Sequence, residues 1–229
     1  MAARRLKRGW YVAGGIALAV LLWFGVPPIG RSLSFFRIRR IEFNGLTHLT
    51  ADRLVPMLQL SDRASLFDPV DGMESRLKTV PGIVSAVVHR RVPGTIRIDI
   101  AEAVPVALAA SGSAMVLVDN RGRTLPFDPT VSAPDLPVLA RPDSVIAGVL
   151  ATVREVDPAL FARISSAWRS RKDVVLEVDS RRYWFRPDAS AEAILAVTAV
   201  AADLARLGRN YKELDGRFAG QVVVRWKAA

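Results

Sequence analysis

A run of twenty uncharged residues near the start of the chain constrains its fold more than any other feature. It extends from Trp10 to Ile29 and reads WYVAGGIALAVLLWFGVPPI. A helix of this length, at about 1.5 Å per residue, spans roughly 30 Å, the thickness of the hydrocarbon core of a bilayer. Aromatic residues lie toward both ends, as at headgroup level, and Pro27-Pro28 favours a helix end. Residues 10–30 are therefore predicted to form one transmembrane helix.

A cleaved signal peptide is the alternative interpretation of this segment, because it also begins with positive charge and an apolar core. Such a core is about 7–15 residues long and is followed by a small-residue cleavage site. The run here is longer, and Val26 to Arg31 contains no convincing site, which favours an uncleaved anchor. Four basic residues among the first eight favour a cytoplasmic tail at residues 1–9, although the arginines after the span weaken the asymmetry. The sequence thus predicts a single-pass inner-membrane protein whose bulk is periplasmic.

The net charge of +10 is concentrated around the predicted membrane segment. Residues 1–40 contain eight basic residues and no acidic ones, whereas the rest of the chain has 24 basic and 22 acidic residues. Binding to a phosphate backbone needs a basic stripe on the folded part, and none is visible after Ile41. The charge therefore argues against a nucleic-acid partner. The chain has no cysteine, so it has neither a disulfide framework nor a thiolate metal site.

The segment after the predicted membrane helix follows a strand, helix, helix, strand, strand order. FFRIRRIEFNG is predicted to be a strand with a bulge at Arg39-Arg40, and Thr50 is expected to cap a short helix. A second helix is predicted over residues 70–79. IVSAVVHR and TIRIDIAE then form a hairpin through Val92-Pro93-Gly94. Such a unit packs its helices on one sheet face and leaves the other face and a sheet edge open.

From Val104 onward the pattern changes to short strands separated by turns. VALAASGSAMVLVDNRGRTLPF contains three apolar runs, and the Pro-rich stretch from Asp128 to Pro142 is predicted to be an extended loop. Ser144 is expected to cap a helix, and Asp188 or Ser190 to cap a longer one. Further strands are predicted at 164–168, 174–178, 183–186, 213–218 and 221–226. The fold class is therefore α+β, with domains predicted at residues 35–103 and 104–229.

Three motifs carry a resemblance to a known family. They are PGIVSAVVHRRVPGTIRIDIAEAVPVA, which includes Glu102, LVDNRGRTLPF, with Asp119 and Gly122, and ELDGRFAGQVVVRW near the C-terminus. In this order behind a single anchor, they resemble the FtsQ/DivIB family of bacterial cell-division proteins over nearly the whole chain. Val92 departs from the pattern, because many members have tryptophan there. The resemblance implies a POTRA-like β-α-α-β-β domain, then a mixed or antiparallel β domain with a long helix.

The resemblance also implies a function and a set of site residues. Proteins of this family act as scaffolds at the division septum that link early and late division proteins. The β domain is then expected to bind an FtsB/FtsL pair through its last strand, as an added strand at a sheet edge. The implied partner-binding residues are Arg186, Phe218, Gly220, Gln221, Val222, Val224 and Trp226. Phe218 and Trp226 are expected to anchor the partner, and Arg186 to hold a partner carboxylate.

No arrangement of residues in the sequence indicates catalysis. His48, in a predicted loop, and His89, on a predicted strand, have no evident nucleophile or base as partner. The histidines and carboxylates have no metal-ligand spacing, and no Gly-rich phosphate loop follows a strand. We therefore expect a protein that is not an enzyme and that needs no cofactor, metal ion or small-molecule substrate.

Two alternatives remain open from the sequence. The first is a different anchored POTRA protein, from envelope transport or secretion. A secretion protein of that kind is expected to continue into a membrane barrel with strands of about ten residues, and the motifs above favour the division protein. The second concerns Trp226, which is either a partner anchor or a core tryptophan that closes the last strand.

Overall fold

The computed structural model describes residues 34–132 and 135–226. The described residues divide into two compact units, one that ends at Glu102 and one that begins at Ala103. The predicted cytoplasmic tail and transmembrane helix lie outside the described residues. Among the helices that the structure does describe, none has both the length and the apolar character needed to cross a membrane.

The first unit has the strand, helix, helix, strand, strand order predicted from the sequence. Its elements are β1 (Arg40–Asn44), α1 (Ala51–Leu54), which continues as a 3-10 helix (Val55–Leu58), α2 (Asp71–Lys78), β2 (Ile83–Arg91) and β3 (Thr95–Glu102). The sheet order is β1-β3-β2, with β3 parallel to β1 and antiparallel to β2. The alternating Ile96, Ile98 and Ile100 of β3 are buried, as the period of two predicts. The helices contribute Leu54, Leu58, Met73 and Leu77 to the buried set.

The start of this unit differs from the prediction in two details. The first strand begins only at Arg40, because Ser34–Phe36 forms a 3-10 helix and Arg37 makes an isolated bridge with Ser65. Thr50 occupies the N-cap position of α1 with extended backbone, but its side chain makes no capping hydrogen bond.

The described residues of the second unit form one sheet of nine strands. Its elements are β4 (Ala107–Ser111), β5 (Ala114–Val118), β6 (Thr124–Leu125), α3 (Pro129–Ser132), β7 (Val138–Leu139), α4 (Ser144–Val156), α5 (Pro158–Phe161), β8 (Ile164–Ser170), β9 (Asp173–Val178), β10 (Arg181–Phe185), α6 (Ala191–Arg206), β11 (Tyr211–Phe218) and β12 (Gln221–Trp226). The sheet order is β12-β11-β10-β9-β8-β7-β4-β5-β6. One core cluster joins the apolar stripes of α4, α5 and α6 to alternate residues of the strands. The face of β8–β12 opposite these helices is called the open face below.

Two predictions about the middle of the chain were wrong. Asp143 rather than Ser144 caps α4, because its carboxylate accepts hydrogen bonds from the N–H groups of Val145 and Ile146. The Pro-rich stretch is not only an extended loop, since it contains α3 and the two-residue strand β7. β7 is parallel to both β4 and β8 and joins two halves of the sheet.

Glu102, one of the motif residues, holds a loop of the first unit in place. Its carboxylate accepts hydrogen bonds from the backbone N–H of His48 at 2.8 Å and of Leu49 at 3.0 Å, and it contacts Nδ1 of His48 at 2.9 Å. Burial alone raises the pKa of Glu102, but the hydrogen bonds from Leu49 and His48 outweigh it and hold the pKa below its ordinary value of 4.5. The charged carboxylate is therefore the form that stabilises the fold.

We expect Glu102→Gln to lower the free energy of unfolding of the first unit by about 1–3 kcal/mol at pH 7, because an amide cannot replace the charged acceptor. A carboxyl group with a lowered pKa contributes stability above pH 4.5 and loses it as pH falls through the folded pKa. The difference in unfolding free energy between wild type and variant should therefore narrow as the pH falls below 4.5. Amide hydrogen exchange of residues 47–49 in the full chain measures it, and a pH-independent difference would contradict the assignment.

Asp119 and Gly122, the second motif, form a tight turn in the second unit. The Asp119 carboxylate accepts hydrogen bonds from the backbone N–H groups of Arg121 and Arg123 at 2.9 and 2.8 Å. Gly122 has a φ of +77°, and a Cβ there would lie 2.5 Å from the backbone N and Cα of Ser144. A side chain at position 122 would therefore clash with the first residue of α4, so this turn requires glycine.

Candidate partner-binding site

The last strand, β12, lies at one end of the nine-stranded sheet. Within the described residues it pairs only with β11, antiparallel, from Tyr211 opposite Trp226 to Phe218 opposite Gln221. Gly220 makes the connecting turn with a φ of +70°, a conformation that favours glycine. The other side of β12 presents backbone N–H and C=O groups that can pair with an incoming strand.

The side chains of β12 alternate between the core and solvent. Val222 and Val224 are half-buried and pack against the core cluster. Val223 lies on the open face and is 42% exposed. Phe218 and Trp226 are each 52% exposed, and the Arg209 guanidinium lies 6.0 Å from the Trp226 ring centroid. Trp226 is therefore not a core residue in this structure.

A groove of about 430 Å³ lies beside the β11–β12 turn. It brings together five of the predicted site residues, namely Arg186, Phe218, Gly220, Gln221 and Val222. The N-terminal turn of α6 forms its other side, with Ser190 as the N-cap residue. Val224 and Trp226 do not line the groove and lie farther along β12.

Arg186 follows β10 directly and is exposed beside the groove. Its Nε donates to Asp188 at 3.1 Å, and this hydrogen bond lowers the pKa of the Asp188 carboxyl. Both side chains are largely exposed, and exposed pairs of this kind contribute little stability. A partner carboxylate can therefore replace Asp188 as the acceptor at small cost.

Arg217 supports the strands beneath the groove. Its guanidinium binds Asp215 through two hydrogen bonds, at 2.8 and 2.6 Å, and reaches Asp173 of β9 at 2.6 Å. Its Cζ also lies 4.8 Å from the ring centroid of Trp184. Burial raises the pKa of Asp215, yet its hydrogen bonds with Arg217 outweigh this and hold the pKa below 3.8. The half-buried Arg217 thus ties β11 to β9 through two buried carboxylates and contacts β10 through the ring of Trp184.

The sequence prediction missed Arg217, Val223 and Arg225. The signal for Arg217 was available, because Glu213, Asp215 and Arg217 are spaced by two on one strand and so share a face. The signal for Arg225 was its position next to Trp226 on the last strand. What the sequence alone did not give is the pairing of Arg217 with Asp173, which lies 44 residues away.

The two histidines lie in the first unit, and each contacts one carboxylate. His48 contacts Glu102, and Nε2 of His89 lies 3.2 Å from Asp99 on the exposed face of the three-stranded sheet. Asp99 also accepts hydrogen bonds from Asn44 and Arg97. In the part of the chain that the structure describes, no three His, Cys, Asp or Glu side chains gather in a way that could hold a metal ion.

Comparison with known proteins gives one family model, in the first unit, and several curated relatives. Residues 36–103 match the family model described as "POTRA domain, FtsQ-type". The chain is 32% identical over 142 residues to the cell division protein FtsQ of Anaeromyxobacter sp. (strain K), covering 59% of this chain and 48% of that protein. It is 27% identical over 132 residues to the cell division protein DivIB of Geobacillus kaustophilus (strain HTA426), covering 56% of this chain and 51% of that protein.

A third relative is the cell division protein FtsQ of Koribacter versatilis (strain Ellin345), 28% identical over 135 residues, covering 56% of this chain and 39% of that protein. The chain thus spans about half or less of the length of these relatives. Among solved structures, the major extracytoplasmic domain of DivIB from Geobacillus stearothermophilus matches with a TM-score of 0.35 and 23% identity, covering 46% of this chain and 97% of that one.

The fold and these matches define a class: an α+β protein with an FtsQ-type POTRA domain followed by a β-rich unit. Residues 36–103 belong to the FtsQ-type POTRA family, and the chain as a whole is similar to the FtsQ and DivIB cell-division proteins of bacteria. The resemblance seen in the sequence motifs is confirmed.

Proposed function

We propose that this protein is a non-enzymatic scaffold of the bacterial divisome that links early and late division proteins. It binds an FtsB/FtsL pair by adding a partner strand to β12. The observation that carries this proposal is that β12 ends the sheet and pairs on one side only among the described residues, with exposed Trp226 at its C-terminal end and exposed Phe218, the last residue of β11, opposite its first residue. Its partners are proteins and the membrane, rather than nucleic acids, cofactors or small-molecule substrates.

The contacts of the site support a binding mode with three parts. The backbone of β12 supplies hydrogen bonds to the added strand, and the exposed rings of Phe218 and Trp226 supply apolar area. Arg186, which is exposed and paired with the exposed Asp188, supplies a guanidinium at the end of the groove. A segment that runs along β12 and then into the groove can meet all three parts.

The anchoring part of the proposal depends on the sequence. Residues 10–30 form the single transmembrane helix, residues 1–9 remain in the cytoplasm, and the domains at 35–103 and 104–229 lie in the periplasm at the septum. The uncharged run from Trp10 to Ile29 supports this arrangement, as does the basic tail before it. The division role is favoured over envelope transport because the similar curated proteins are cell-division proteins.

Depletion of the protein in its own host tests the division role. We expect filamentous cells with segregated DNA, and a fluorescent fusion of the full chain should form a band at mid-cell. Cell length, DNA position and the fusion are imaged together, and re-expression of the wild-type chain is the control. Normal septation with a diffuse envelope signal would overturn the proposal and favour an envelope-transport protein.

A further inference from the structure

A row of polar and charged residues crosses the open face of the second unit and ends on β12. The row contains one residue per strand, paired in register: Ser166 with Glu177, Glu177 with Arg182, Arg182 with Glu213, and Glu213 with Arg225. Residues paired in register share a sheet face. The neighbours Leu176, Tyr183 and Leu214 are fully buried on the helix-covered face, so the row lies on the open face. The charges alternate along it as acid, base, acid, base.

Glu213 is the centre of this row. It is buried, with Arg182 at 3.5 Å from its Oε1 and Arg225 at 3.4 Å from its Oε2. At the far end of the row, the Ser166 hydroxyl donates to Glu177 at 2.7 Å. The carboxylates are thus flanked by polar or basic groups on both sides.

Among the described residues, Arg225, the last member of the row, has a row neighbour on only one side. Its side chain is 58% exposed, and its guanidinium meets Glu213 at a distance longer than a strong charge-assisted hydrogen bond. A guanidinium has five N–H donors, so most of its donor capacity remains after this contact. The alternation therefore stops at a cation on the strand edge to which we assign partner binding.

We infer that the segment that pairs with β12 carries an Asp or Glu directly opposite Arg225. The inference rests on the proposed pairing at this edge. A carboxylate at that position shares the open face, binds the free donors of Arg225 and continues the alternation, whereas a Lys or Arg there faces a like charge. A slip of one residue moves the carboxylate to the helix-covered face beside the half-buried Val224. The pair thus selects the partner by charge and also fixes its register.

Charge exchange between the two proteins tests this pair. The probe is the extracytoplasmic segment of the host's FtsB-type protein, with each Asp and Glu replaced singly by Lys, and its affinity for the purified full chain in detergent is measured. We expect one replacement to weaken binding about tenfold, because a favourable pair becomes a like-charge pair. Arg225→Glu in the full chain should restore the affinity of that one probe and of no other.

Arg225→Glu also brings a carboxylate next to Glu213, so a neutral variant is needed as well. One Lys-substituted probe is expected to lose affinity for the wild-type chain. Arg225→Gln should bind that probe within about twofold of the unmodified segment, because no cation remains to repel the lysine. Arg206→Gln, a change at an exposed arginine on α6, is the matched control. This variant should still bind the unmodified segment about tenfold more tightly than that Lys-substituted probe.

The inference is overturned if no probe is rescued by Arg225→Glu, or if Arg225→Gln discriminates as the wild-type chain does. Val224→Asp separates this failure from that of the proposed edge. If Val224→Asp keeps the wild-type unfolding curve and abolishes binding while the Arg225 variants behave as wild type, the edge proposal stands and the acidic position is wrong. If Val224→Asp leaves binding unchanged, β12 is not the binding strand and both proposals fail.

Discussion

Replacing Arg217 with leucine is expected to lower the free energy of unfolding of the second unit by about 3–5 kcal/mol, the cost of leaving buried carboxylates without their counterion. Asp215 is 2% exposed and depends on two hydrogen bonds from Arg217, while Asp173 receives a third. The variant keeps a side chain of similar bulk, so the loss reports mainly the charge. Urea unfolding of the full chain, followed by tryptophan fluorescence, measures the change, because Trp184 lies against the guanidinium.

Arg206→Leu is the matched control for this prediction. Its ion pair with Asp203 has an N–O distance of 2.7 Å, against 2.6 Å for Arg217 and Asp215, but both of its side chains are exposed. An exposed pair contributes about 1 kcal/mol or less. Burial rather than N–O distance therefore decides how much each ion pair contributes to stability. Equal destabilisation by Arg217→Leu and Arg206→Leu would contradict this account.

The dependence of the Arg217→Leu effect on pH has a definite sign. The pKa of Asp215 is held below its ordinary value of 3.8, so the carboxylate contributes stability above that pH and loses it as pH falls through the folded pKa. The deficit of Arg217→Leu should be full at neutral pH and should shrink below about pH 4, where protonation removes the uncompensated charge. Asp215→Asn combined with Arg217→Leu should recover part of the loss already at pH 7.

The order of the elements could be predicted from the sequence because the local signals are strong. The alternating isoleucines of β3, the Gly94 hairpin and the long apolar stripe of α6 each point to one structure only. The limits of β12 were likewise predicted, since Gly220 and the valine run mark a turn followed by a strand. Propensity could not choose between Asp143 and Ser144 as a cap, because both residue types cap helices well.

The pairing of distant strands could not be predicted in this way. β7 has only two residues, which is too short for a periodic signal, yet it completes the sheet by pairing with β4 and β8. The order β12-β11-β10, which leaves β12 at the end, also depends on contacts between residues far apart in sequence. For the same reason, the sequence could list Phe218 and Trp226 as site residues but could not decide whether they are exposed. The alternation of β12 is the same for a central strand and an edge strand.

Substitutions on β12, and at Phe218 at the end of β11, are expected to weaken partner binding strongly while the protein remains folded. Phe218→Ala and Trp226→Ala should each cost about 2 kcal/mol of binding free energy, roughly a 30-fold loss of affinity, because exposed rings of this size act as anchors when a partner covers them. Val224→Asp together with Trp226→Ala should reduce binding below detection, since the added charge lies beside the core where the partner strand must pair. Affinity of the full chain for the FtsB-type segment is the measurement.

Met115→Ala supplies the matched control, because Met115 is 43% exposed on β5, near the opposite end of the same sheet from β12. If Met115→Ala binds with unchanged affinity while Phe218→Ala and Trp226→Ala bind more weakly, the effect is local to the sheet edge. It is then not a general consequence of losing exposed apolar surface. Val224 packs partly on the core, so the unfolding curve of each β12 variant must be measured as well. If the folded β12 variants bind as tightly as Met115→Ala, the partner binds elsewhere. The exposed rings of Phe218 and Trp226 would then need another explanation.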